Sequence, residues 1–122
     1  MPSMKIDFPP VYIANAAGNL LNCNITSEAG PVGFALSEPY LIVRHVRIIN
    51  IDTATRTLSL YKGATGGSTS GTQFAWGNYA LAAQSYDDWY GEERFNAADF
   101  LSGICDAASK VIININADLV FP

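Results

Sequence analysis

One stretch constrains the fold more than any other. It is Tyr40-Leu-Ile-Val-Arg-His-Val-Arg-Ile-Ile-Asn-Ile51, the longest strand-like run in the chain. Under strict alternation Ile42, Val46 and Ile48 share a face with Arg44 and Asn50. Leu41, Val43, Ile49 and Ile51 then share the other face with His45 and Arg47. A strand with apolar residues on both faces belongs inside a sheet and changes its burial along its length, here through a bulge near Arg44 and His45. Arg56-Thr-Leu-Ser-Leu-Tyr-Lys62 alternates cleanly, with Leu58 and Leu60 inward. The short Asp52–Thr55 turn between the two runs predicts a β-hairpin.

The remaining segments repeat the theme. Leu20–Ser27 predicts a first strand with Leu21, Cys23 and Ile25 on one face, and Phe34–Leu36 a short one after the turn-rich Glu28–Gly33. Gln73–Tyr79, Tyr86–Tyr90 and Asp99–Cys105 read as extended. Lys110–Phe121 is a final long strand. Val111, Ile113, Ile115, Ala117, Leu119 and Phe121 line its buried face, and Asn114, Asn116 and Asp118 its wet one. Short helical turns fit only Ala80–Gln84 and Asn96–Asp99. Seven to eight short antiparallel strands at regular spacing predict an all-β domain over residues 20–122, a β-sandwich or jelly roll. Its core anchors are Val46, Ile48, Leu58, Leu60, Trp89, Leu101, Ile113 and Ile115.

Residues 1–19 differ. Pro2, Pro9 and Pro10 oppose both helix and central strand, and Asn15–Asn19 is small and polar. The segment reads as an extended N-terminal arm whose apolar side chains lie on a surface. That surface is either its own domain or a neighbouring subunit, and the neighbour is the preferred reading. At about 3.3 Å per residue such an arm reaches about 60 Å.

Composition narrows the function. The 122 residues suit one domain. Charged residues make up only 15% against 49% hydrophobic, which fits either a surface covered by partners or one rich in uncharged polar groups. A net charge of −4 and seven scattered Lys and Arg argue against nucleic acid. No apolar run approaches the roughly 18 residues of a membrane helix, and no secretory signal is indicated, so folding in a cytoplasm is expected. Cys23 and Cys105 then read as reduced thiols rather than a disulfide, and the Asn24–Thr26 sequon as unused.

No constellation points to catalysis. The lone His45 accompanies no nucleophile motif. One His and two separated Cys make no metal site, and no cofactor is implied. Asp87, Asp88, Glu92 and Glu93 could hold calcium only if a turn gathered them, and a solvated turn is the preferred reading. The glycine-rich Gly63–Thr72 lacks the Lys of a phosphate-binding loop and reads as a surface loop. Trp76, Tyr79, Tyr86, Trp89 and Tyr90 fit core or interface anchors, with a sugar-stacking platform around Trp76 and Trp89 as the alternative.

Five segments in order carry a likeness. They are Arg44-x-Val46-x-Ile48-x-Asn50; Arg56-Thr57 with Leu60-Tyr61; Ala82-Ala83 with Tyr86 and Trp89; Ala97, Asp99, Leu101 and Gly103; and the Ala107–Ser109 turn before the last strand. From Tyr40 onward the chain resembles small β-sandwich structural proteins of tailed bacteriophage virions. The resemblance implies a non-enzymatic virion component made in the host cytoplasm. The resemblance leaves the part of the virion open. The extended arm and the low charge favour a head decoration (cement) protein, with a tail, neck or fibre-attachment part as the alternative. The Trp76 and Trp89 region gives a carbohydrate-binding module as the alternative of another class. The partners of a decoration protein would be the major capsid protein and further copies of itself in a homo-oligomer. Contact would fall to Met4, Ile6, Phe8, Val11, Tyr12 and Ile13 of the arm and to His45 and Arg47 of the long strand.

Overall fold

A computed structural model describes residues 3–22, 40–63, 71–96 and 99–120. The expectations for Cys23, the sequon, Phe34–Leu36, most of the glycine-rich loop, Ala97 and Phe121 fall outside these residues. Nine strands are present among them: β1 (Ser3–Tyr12), β2 (Gly18–Asn22), β3 (Tyr40–Asn50), β4 (Arg56–Gly63), β5 (Thr72–Gln73), β6 (Tyr79–Leu81), β7 (Tyr86–Phe95), β8 (Phe100–Cys105) and β9 (Val111–Val120). They form two antiparallel sheets, one ordered β1-β9-β3-β7, the other β2-β8-β4-β5 with β6 also on β4. With β5 and β6 sharing one position along β4, this order is that of a jelly roll.

The chain passes from one sheet to the other at almost every connection. This corrects the expected β3–β4 hairpin, because β3 and β4 lie in different sheets. The corner is fixed by Asn50, which is 1% exposed. Its Nδ2 donates to the carbonyls of Ala54, Leu81 and Ala82, and its Oδ1 accepts from the Asp52 amide. A hairpin that laid β4 beside β3 would take that buried amide away from the Leu81 and Ala82 carbonyls at the other sheet.

Leu41, Val43, Val46 and Ile48 of β3 meet Leu58 and Leu60 of β4, Leu101 and Cys105 of β8, and the alternate residues Val111–Leu119 of β9 in one core. Phe74, Trp76, Leu81 and Phe95 close it at the β7 side. Cys105 is a buried free thiol, raised from its ordinary pKa chiefly by burial.

Of the first nineteen residues, those described (3–19) join the domain rather than standing off it. Ser3–Tyr12 pairs with the chain's own β9 and forms an edge of the sheet. Pro9 and Pro10 are accommodated by a register shift between Phe8 and Val11, the edge-strand bulge in which proline costs no ladder hydrogen bond. Ile13 is fully buried. Its amide bonds to Val111 of one sheet, and the adjacent Ala14 carbonyl accepts from Cys105 of the other.

Candidate functional site

The outer face of the β1-β9-β3-β7 sheet carries the most organised polar chemistry among the described residues. Two opposed irregularities shape it. Between Val43 and His45 the register of β3 shifts against both β7 and β9, leaving Arg44 as an extra residue. Strict alternation therefore breaks: Val43 and Val46 both point inward, and Arg44 and His45 emerge together on the outer face with Arg47. Across β9, the Pro9–Pro10 bulge of β1 widens the opposite side.

His45 is fixed on three sides. Its ring stacks on Tyr90 with centroids 4.6 Å apart. The Asn116 side-chain amide donates to Nδ1 at 3.1 Å, which leaves Nε2–H to donate to Asp88 Oδ1 at 2.7 Å. Arg47 grips the same carboxylate with Nε at 2.7 Å and Nη2 at 3.2 Å, and its guanidinium lies over Tyr86. The Arg47 hydrogen bonds first, and the His45 bond second, hold the Asp88 carboxyl down at about 2. Arg44 reaches Asp118 on β9 and Glu92 on β7.

Between the β1 and β3 ridges runs a trough along β9. One part, about 440 Å³, has Asn114 and Asn116 as its floor, Asp7, Phe8 and Pro10 on the β1 side, and His45 and Arg47 on the β3 side. A second part, about 280 Å³, shares Asp7 and Asn116 and continues to Lys5, Arg44 and Asp118.

The His45–Asp88 pair has the form of a base and its orienting acid, but both ring nitrogens are already engaged. Nothing is left on the ring to take a proton from a substrate. The four carboxylates read as a turn lie instead on the extended β7 and part company. Asp87 faces Trp76 on the inner side, Asp88 holds Arg47 and His45, Glu92 meets Arg44, and Glu93 meets Lys62. Among the described residues no group of three potential ligands gathers around a metal site.

The arm residues divide. Met4, Val11 and Tyr12 are 44%, 43% and 49% exposed, and Ile6 and Phe8 are half-buried against the core. Ile13 is withdrawn from the contact role expected of it, because it plugs the core between the two sheets. Val46, Ile48, Leu58, Leu60, Leu101, Ile113 and Ile115 all lie in the core, and Trp89 packs on it against Phe74 at 4.8 Å. A Trp76–Trp89 stacking platform is not formed. Trp76 is buried and bonded to Asp87, and the Trp89 ring is turned onto Phe74 and over Gly91. The exposed rings among the described residues are Tyr12, Tyr86 and Tyr90.

Sequence reasoning passed over Asp7, Asp88 and the Asn114–Asn116 pair as site residues. The available signals were the two asparagines on the wet face of the last strand and the double proline opposite them. A scan of protein-family models and searches of curated proteins and solved structures find no match to the chain.

Proposed function

We propose that this chain is a non-catalytic structural component of a tailed-bacteriophage virion, a head decoration protein that bridges major capsid subunits and further copies of itself. It works by adhesion, needs no cofactor, and would reside on the capsid surface after synthesis in the host cytoplasm. The observation that carries the reading is the state of β1. Its apolar side chains Met4 and Val11 stay 44% and 43% exposed on one face of the edge strand, and the Tyr12 ring 49% exposed on the other, although the strand is docked on its own sheet. Apolar groups left nearly half open along a sheet edge are what an assembly contact covers. The ordered likeness to virion proteins from Tyr40 onward supports the same reading. The jelly-roll winding, which viral capsid domains also use, adds fold-level analogy only.

The deciding measurement is the copy number and position of the protein in purified particles. Cement implies hundreds of copies following capsid symmetry, whereas a neck or tail ring implies about a dozen, following cyclic symmetry. A Met4→Asp, Val11→Asp variant should still fold, at a cost of about 1–3 kcal/mol for two partly exposed edge-strand sites, which a denaturant melt would check. It should fail to join particles. Normal incorporation of that folded variant would remove β1 from the contact.

A further inference from the structure

Apart from Tyr12 at its end and the His45 and Arg47 expected at a contact, the trough over β9 lies outside the adhesion reading, and its chemistry selects a ligand. Its walls carry charges of both signs in balance. Arg47 is held by Asp88, and Arg44 by Asp118 and Glu92, while Lys5 and Asp7, of opposite sign, stand two residues apart on β1, so the trough offers no excess of either sign to an ionic ligand. The floor is neutral: Asn114 and Asn116 stand two residues apart on β9, about 6.6 Å along the strand at about 3.3 Å per residue. Both backbone edges of β9 are occupied by β1 and β3, so an added peptide strand has no ladder to join here. Carboxylate, amide and guanidinium groups each offer two polar atoms side by side, which suits adjacent hydroxyls on one ring. At the Asn114 end, Tyr12 on β1 lies opposite Ile112 and keeps an exposed ring for stacking.

We infer that this trough is a binding site for a neutral oligosaccharide. Successive sugar units would lie along β9, with hydroxyls on Asp7, Asn114, Asn116 and Arg47 and a ring face on Tyr12. The largest part, about 440 Å³, falls within the size range of small-ligand sites. Its openness to solvent makes affinity weak, with Kd in the millimolar range. The site is physically separate from the Trp76–Trp89 region and does not depend on the virion assignment.

The test is an amide NMR titration of the full chain. The neutral probes are gluco-, galacto- and manno-configured tetrasaccharides up to about 10 mM, and the ionic probes are a sialylated trisaccharide and a heparin tetrasaccharide. At least one neutral probe should shift the Asp7, Arg47, Asn114 and Asn116 amides, and the ionic probes should bind more weakly. Asn114→Ala and Asp7→Ala, both at solvent-facing positions, should each raise Kd about tenfold while leaving the rest of the spectrum in place. The inference is overturned if no neutral probe shifts these amides, if shifts centre elsewhere, if both variants bind like the parent, or if the ionic probes bind more tightly.

Discussion

Asn50 and Asp88 show how single side chains fix this molecule. Asn50 uses both ends of its amide inside a buried corner, where no water replaces a lost partner. Asn50→Ala should cost about 1–3 kcal/mol in denaturant unfolding, the cost of orphaning buried carbonyls. Asn50→Asp should cost more, since a carboxylate cannot donate to three carbonyls. Asp88 makes stability depend on acid. Its carboxyl sits at about 2 in the fold against an ordinary 3.8, so its contribution is complete above about pH 4 and is lost as pH falls toward 2. Asp88→Asn should therefore be less stable than the parent at pH 7, and the gap should close between pH 4 and pH 2. A gap that stays constant with pH would mean that Asp88 acts by packing alone. Neither role was legible in the sequence: Asn50 looked like the polar end of a strand, and Asp88 like one of several carboxylates in a turn.

The strands were legible to different depths. β9 was readable residue by residue because period two persists over its whole length, with Val111, Ile113, Ile115, Ala117 and Leu119 inward. β3 was readable as a strand, and its apolar residues on both faces pointed to the bulge near Arg44 and His45 that the register shows between Val43 and His45. The faces assigned by strict alternation hold up to Val43 and are inverted from His45 onward, as that extra residue requires. A deletion series should expose this. Removing Arg44 restores alternation against β9 while keeping Val43 and Val46 inward, so that variant should fold with reduced stability. Removing Val46 drives Arg47 into the core and should abolish cooperative unfolding. β1 was read as an arm because two prolines argue against a central strand. They do not argue against an edge strand with a bulge, which is where they sit.

At the scale of the whole molecule, strand number and spacing pointed to a sandwich or jelly roll, and the two sheets bear out that class. The winding was not legible. A connection of five residues such as Ile51–Thr55 serves equally as a hairpin loop or an arch between sheets, and only the buried partners of Asn50 decide for the arch. The trough was hidden for a related reason. It is made by β1, β9 and β3, the first, last and middle long strands, and no local pattern records that they are neighbours. Sequence separation of this kind also slows folding, so refolding should take milliseconds to seconds, as in other all-β domains of high contact order. Stopped-flow tryptophan fluorescence would measure it through Trp76 and Trp89, both at the core.

The position of β9 has a consequence for how the chain is made. The sheet it belongs to has β1 on one side of it and β3 on the other, yet β9 is the last of the nine strands to leave the ribosome. Some 60 residues separate the end of β3 at Asn50 from the start of β9 at Val111, and at about 5–20 residues per second that is a delay of about 3–12 s. During it β1 and β3 both wait with open edges. Val46 and Ile48, later covered on every side, are then available to any other nascent chain nearby. High-level expression should load this protein onto holdase chaperones, and slowing translation should deepen that dependence rather than relieve it.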